Sequence, residues 1–107
     1  MLENQYKSDL DNRLREMYPG LVILKNDANF LQGVPDRLLL HGDRWAMLEG
    51  KRSAKATRQP NQEYYVDRFN DMSFASFIYP ENEEDVLNEL HHAFTSSRRS
   101  TRNVRRQ

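Results

Sequence analysis

The first part of the chain alternates apolar and polar positions at the three- and four-residue spacing of an amphipathic helix. The apolar positions are Leu2, Tyr6, Leu10, Leu14 and Met17. Pro19-Gly20 follows them and predicts the end of this helix. The short apolar run at 21–24, bounded by polar residues, predicts a buried β-strand, and the polar residues 26–34 predict a loop.

Two further apolar runs, residues 37–40 and 45–48, lie on either side of Gly42-Asp43. This pair suits the centre of a two-residue turn, so we expect a β-hairpin. In such a hairpin residue 41 pairs with 44 and residue 40 with 45, and continued pairing places Asp36 opposite Glu49. The Cβ atoms of directly opposite residues lie roughly 5 Å apart on one face of the sheet.

The second half of the chain continues with a basic polar connection at 52–61 and a predicted helix at 62–70. Residues 73–79 are rich in aromatic and β-branched side chains and predict a fourth strand, which ends at Pro80. Asn82 is a candidate cap for a last helix. The apolar stripe of that helix is Val86, Leu87, Leu90 and Phe94. The order α-β-β-β-α-β-α predicts an α/β fold, with a small mixed central sheet flanked by helices.

Charged residues gather at the open end of the predicted hairpin. Residues i and i+2 of a strand share a face, so Glu49 and Lys51 project together, and Asp36 lies opposite them. Two opposed carboxylates destabilise a sheet unless something compensates, and Mg²⁺ takes carboxylate and carbonyl oxygens as ligands. The carbonyl of Gly50 could add another oxygen. The alternative is a salt bridge between Glu49 and Lys51 at the rim of the core, with Asp36 as an ordinary first residue of a strand.

The 107-residue length predicts one domain, and the absence of cysteine excludes disulfides and thiolate metal sites. A charged N-terminal segment and the lack of a long apolar stretch predict a cytoplasmic protein without membrane contact. Net charge is zero, but five of the 16 basic residues lie in the last ten positions, which leaves a body of net charge −5. We therefore divide the chain into a domain at 1–96 and a basic tail at 97–107. The tail is either a nucleic-acid-binding arm, with Arg98 and Arg99 as candidate DNA contacts, or a solubilising end.

Three segments resemble one family of nucleases. They are GVPDRLLL at 33–40, LEGKRS at 48–53 and QPNQEYYVDRF at 59–69. They are similar to the motifs of the PD-(D/E)xK nuclease superfamily, and within it to the VRR-NUC type of phage, bacterial and eukaryotic repair nucleases. The resemblance implies a restriction-endonuclease-like core and Mg²⁺-dependent hydrolysis of DNA, with Mn²⁺ as a substitute. Small stand-alone members resemble Holliday junction resolvases, which implies a homodimer that acts on branched DNA, and the small size fits a phage origin.

The resemblance also assigns roles to single residues. Glu3 on the first helix maps to a further metal-binding acid; its competitor, Glu16, lies at the far end of that helix. Gln62 maps to a glutamine that hydrogen-bonds near the catalytic residues or positions DNA, and Lys25 to a lysine beside the cleft. Both could instead be ordinary polar residues.

Arg52, Lys55 and Arg58 lie in the connection after the strand that carries Glu49. In a nuclease this loop would contact DNA phosphates, although a solvated run of charges is the alternative. Two other functions remain open. The protein could be a non-catalytic DNA-binding adaptor that uses the arginine-rich tail, or a nuclease of the same fold that acts on other DNA forms or on RNA.

Overall fold

The structure is a computed structural model that describes residues 2–96. The basic tail at 97–107, with Arg98 and Arg99, lies outside the described residues. The element order α-β-β-β-α-β-α is the predicted one. The elements are α1 (Glu3–Met17), β1 (Val22–Lys25), β2 (Arg37–His41), β3 (Arg44–Gly50), α2 (Gln62–Met72), β4 (Ala75–Ile78) and α3 (Glu83–Thr95).

The four strands form one mixed sheet in the order β1-β2-β3-β4. The first two pairings are antiparallel, and β3 pairs with β4 in parallel. In the β2–β3 hairpin His41 pairs with Arg44 and Arg37 with Leu48, which confirms the predicted two-residue turn and its register. Gly42 has a φ of +62°, a backbone conformation that such turns require and that glycine adopts without strain.

Helices cover both faces of this sheet. On one face, α1 and α3 bury the inward residues of β2, β3 and β4, among them Leu39, Leu48 and Ile78, all with no exposed surface. On the other face, Val66 of α2 packs with Phe77 and its neighbours on β3 and β4. Among residues 2–96, no helix has the length and apolar content needed to cross a membrane.

The prediction that β1 is buried is wrong. β1 lies at the edge of the sheet, and the side chains of Val22 and Leu24 are 47% and 46% exposed. Ile23, which points the other way, packs against the core of α1 and α3. The face that carries Val22 and Leu24 is the α2 side, and α2 packs over β3 and β4 instead.

The ends of two helices also differ from prediction. Leu2 and Met17 are exposed, and Tyr18, just beyond α1, is buried in the core in place of Met17. Asn82 takes the N-cap position of α3, but its side chain makes no hydrogen bond to the helix. It accepts a hydrogen bond from the Tyr79 N–H (2.8 Å) and donates one to the carbonyl of Phe77 (3.1 Å). Asn82 therefore shapes the turn after β4 instead of capping α3.

Candidate functional site

Asp36 and Glu49 meet at the open end of the hairpin, as the register predicted. Asp36 directly precedes β2, and its backbone N–H donates a hydrogen bond to Glu49 Oε1 at 3.1 Å. In return, the N–H of Gly50 lies 3.4 Å from Asp36 Oδ1. Each carboxylate thus contacts a backbone N–H of the opposing segment, which keeps the two groups close together.

Lys51 extends the same face beyond the end of β3. Its N–H donates to the carbonyl of Ile78 (2.8 Å), which prolongs the pairing with β4 and fixes the direction of the side chain. Its ammonium lies 3.8 Å from Glu49 Oε2 and donates to the carbonyl of Thr57 at 3.1 Å. Glu49 and Lys51 are only 3% and 5% exposed, so their charges are paired inside the protein.

The carboxyl group of Glu49 is strongly perturbed by this environment. Burial, and next the negative charge of Asp36, raise its pKa to about 7, although the ammonium groups of Lys7 and Lys51 act in the opposite direction. Near neutral pH the group is therefore poised between its two protonation states. Additional positive charge beside it would favour the ionised form.

The first helix brings two more charges to this place. Glu3 and Lys7 are one helical turn apart, on a side of α1 next to the buried stripe of Tyr6, Leu10 and Leu14. The Lys7 ammonium lies 2.7 Å from Asp36 Oδ2 and 3.4 Å from Glu3 Oε2. Burial lowers the pKa of Lys7, but its hydrogen bond to Asp36 and the surrounding carboxylates outweigh this and raise it. Lys7 is thus held as an ammonium ion.

Sequence reasoning missed Lys7. The signal available was its position four residues after Glu3, because Glu and Lys at this spacing lie on the same helix face. If Glu3 reaches the cleft, Lys7 can reach it as well.

A buried ion pair attaches α1 to the start of β2. The guanidinium of Arg37 donates to both carboxylate oxygens of Asp11, at 3.0 to 3.2 Å, and a further nitrogen lies 3.3 Å from Asp36 Oδ2. Because Asp11 follows Lys7 by one helical turn, a stripe of charged residues on α1 faces Asp36 and Arg37. This contact fixes the helix that carries Glu3 and Lys7.

Gln62 and Gly33 shape the loop opposite that helix. The side-chain carbonyl of Gln62 accepts a hydrogen bond from the Gln59 N–H (2.7 Å). Gly33 has a φ of +92°, and a Cβ there would lie 2.6 Å from Asn61. The segment that leads to Asp36 therefore packs directly against the residue that precedes α2.

These elements surround an open cleft of about 530 Å³. Six residues predicted from the sequence line it: Glu3, Asp36, Glu49, Lys51, Arg52 and Gln62. Lys25 lines a neighbouring cleft of about 310 Å³, and Lys7 and Asp36 belong to both. The sequence-predicted set is thus largely brought together.

Lys55 and Arg58 differ from the rest of the set. Neither is among the residues that line the cleft, and Lys55 is exposed. The guanidinium of Arg58 pairs with Glu63 (2.8 Å) and lies 3.7 Å from the centre of the Phe77 ring. Arg58 is therefore engaged by its own chain, and a DNA phosphate would have to compete with Glu63 for it.

The donor atoms at the cleft suit a hard divalent cation. Glu3, Asp36 and Glu49 offer carboxylate oxygens, which Mg²⁺ and Mn²⁺ prefer. However, within residues 2–96 no three His, Cys, Asp or Glu side chains already have the arrangement of a metal site. The ammonium of Lys7 contacts Asp36 and Glu3 instead. The role of the Gly50 carbonyl as a ligand stays a prediction.

Comparison with protein-family models, with curated proteins and with solved structures finds no match to this chain. A functional assignment therefore depends on the residues and their geometry.

Proposed function

We propose that this protein is a metal-dependent DNA endonuclease that hydrolyses phosphodiester bonds, with a preference for branched DNA such as four-way junctions. The observation that carries the proposal is the convergence of Asp36, Glu49 and Lys51 at the open end of one hairpin, beside an open cleft. This is the residue pattern of the PD-(D/E)xK nucleases, which the sequence resembles. Convergence of the three groups is also what the chemistry requires, since they must act on one phosphate.

In this proposal Asp36 and Glu49 bind Mg²⁺, or Mn²⁺ in its place, with Glu3 as a third acid. The bound ion would lower the pKa of a coordinated water and stabilise negative charge on the phosphate. The raised pKa of Glu49 supports a cation at this position, because burial and the charge of Asp36 outweigh the ammonium groups of Lys7 and Lys51, and a divalent cation would add positive charge.

Lys51 has three roles open to it in the same reaction. As an ammonium ion it could orient the attacking water or stabilise the charge that develops on the phosphate, and as the neutral amine it could accept a proton from that water. Its burial and its contact with the carbonyl of Thr57 hold the side-chain nitrogen in place. Gln62, which fixes the loop beside it, would position that loop or the DNA.

DNA binding must come from local positive charge, since the body of the protein is acidic. Arg52 at the main cleft, Lys25 at the neighbouring one and the arginines of the tail are the candidates. We assign the activity to the cytoplasm, that of the host if a phage encodes the protein.

We also propose that the protein acts as a homodimer. A four-way junction has twofold symmetry, and two active sites related by a twofold axis can nick opposed strands. The exposed apolar side chains of Val22 and Leu24 on β1 support an association of this kind.

The test is cleavage of labelled four-way junction, duplex, splayed-arm and single-stranded DNA, together with RNA, in Mg²⁺, Mn²⁺ or EDTA. We expect paired nicks near the junction that require the metal and that disappear in Asp36→Ala and Lys51→Ala. Asp67→Ala, a change at an exposed residue of α2, is the matched control and should cleave normally.

The outcomes separate the alternatives. Cleavage of other DNA forms or of RNA would keep the nuclease and remove the preference for junctions. Tight DNA binding without cleavage of any substrate, unchanged in Asp36→Ala, would reject the nuclease in favour of a DNA-binding adaptor that uses the basic tail.

A further inference from the structure

Lys7 lies at the place where the proposed metal would bind. Its ammonium is 2.7 Å from Asp36 Oδ2 and 3.4 Å from Glu3 Oε2. The side chain is 15% exposed, so water screens these contacts only partly. The residue therefore provides positive charge to two of the three carboxylates that the proposal assigns to the metal.

The backbone of Gly50 allows this placement. A Cβ at Gly50 would lie 2.9 Å from Lys7 Cγ, closer than such atoms approach, so a larger residue would displace the lysine stem. The aliphatic part of Lys7 packs on the strand between Glu49 and Lys51, and the ammonium extends past it to Asp36. Lys7 is thus a built-in part of the site and not a surface lysine that happens to be near.

We propose that Lys7 is an internal competitor for the divalent cation, and that it sets the affinity of the site for metal. This inference rests on the proposed function, because it takes Asp36 as a metal ligand. Lys7 contacts one oxygen of Asp36 at 2.7 Å, so a divalent cation must either bind Asp36 beside this ammonium, against its positive charge, or displace it. Lys7 also lines the neighbouring cleft, where Asn4, Ser8 and Asp11 offer its ammonium another polar environment. Lys7 is a positioning residue that acts through Asp36.

Removal of the Lys7 charge should raise the affinity of the site for metal, whereas loss of a ligand would lower it. The variant Lys7→Met keeps the unbranched stem on Gly50 and removes the charge. We expect it to bind Mn²⁺ and Mg²⁺ about tenfold more tightly, through the loss of repulsion at short range. Lys7→Arg keeps the charge and should bind metal as the unchanged protein does. Arg15→Met, which removes an exposed positive charge near the far end of α1, should change the affinity less than twofold because charge repulsion weakens with distance.

The experiment is calorimetric titration of Mn²⁺ and of Mg²⁺ into the full chain without DNA, for the unchanged protein and these variants. Lys7→Gln serves as a second neutral variant should Lys7→Met fail to fold in EDTA. Tighter binding in the neutral variants alone supports the inference. Equal or weaker binding in them, with clear binding to the unchanged protein, overturns it and leaves the metal site intact. Absence of binding in every variant, or unchanged binding in Asp36→Asn, overturns both the inference and the proposed metal site.

Discussion

Glu49 is an ionisable residue with little access to water, so its protonation is coupled to the stability of the fold. Its pKa is about 7 in the folded protein, above the ordinary value of 4.5. Between these values the folded chain binds more protons than the unfolded chain, so the free energy of unfolding falls as the pH rises. The stability that Glu49 contributes is fully present below pH 4.5 and is lost above about pH 7. At 1.36 kcal/mol per pKa unit it amounts to at most about 3 kcal/mol.

We therefore expect Glu49→Gln to remove this pH dependence in metal-free protein. Urea unfolding in EDTA, from about pH 5 to about pH 8, should show a smaller loss of stability for Glu49→Gln than for the unchanged protein. Glu89→Gln, a change at an exposed residue of α3, is the control and should follow the unchanged protein. The same slope for Glu49→Gln and the unchanged protein would contradict the assignment of the raised pKa to Glu49.

Position 33 requires glycine for two reasons: its left-handed backbone conformation and its close contact with Asn61. Its φ is +92°, and an added Cβ would lie 2.6 Å from atoms of Asn61; Gly20 has a similar φ of +87° but open space around it. Gly20→Ala should therefore cost only backbone strain, about 1 kcal/mol. Gly33→Ala should cost at least about 1 kcal/mol more, because Asn61 must move. Urea unfolding of both variants measures this difference, and equal losses would show that the contact with Asn61 is unimportant.

At the scale of elements, the ion pair of Asp11 and Arg37 attaches α1 to β2. Their side chains are 14% and 9% exposed, so removal of one partner leaves a buried charge with less compensation. We expect Asp11→Ala to lower the free energy of unfolding by about 3 kcal/mol. The double variant Asp11→Leu with Arg37→Met should recover much of this loss.

The control for this prediction is Asp9→Ala, a change on the exposed side of α1, which should cost less than about 0.5 kcal/mol. Stability would be measured for all variants by urea unfolding. If Asp11→Ala behaves like Asp9→Ala, the contact does not fix the helix.

The hairpin could be predicted from the sequence because the relevant physics is local. Gly42-Asp43 determines the length of the turn, turn length determines the register, and the register brings Asp36 opposite Glu49. Lys51 then follows from the alternation of side chains along β3. This core of the candidate site is therefore visible in the order of residues alone.

The other parts depend on contacts between elements that are distant in sequence. An apolar run such as that of β1 looks the same whether or not a helix covers it, and the position of α2 over β3 and β4 decides its exposure. Lys7 contacts Asp36 only because α1 docks beside the hairpin. Arg58 is engaged by Glu63 and Phe77, which lie on two other elements. No sequence pattern within a single segment predicts any of these contacts.

At the scale of the whole molecule, the apolar surface is distributed unevenly over the sheet. The edge strand β1 exposes about half of the side chains of Val22 and Leu24 on the α2 side, next to their partners Leu40 and Leu38 on β2. Phe30, in the loop after β1, is 91% exposed. An edge strand with a free apolar face is a surface on which another chain can pair or pack.

We expect two copies of the chain to associate through this face of β1. Light scattering after size-exclusion chromatography should give twice the 12.7 kDa of one chain. Leu24→Lys should yield the monomer, because a charge in the centre of an apolar contact would lose its water on association.

Met72→Lys is the matched control, since Met72 is 49% exposed but lies at the end of α2, and it should remain dimeric. If Leu24→Lys is dimeric as well, the contact lies elsewhere. A monomeric unchanged protein would contradict the homodimer, and under the proposed function a single copy would then nick only one strand of a junction in each binding event.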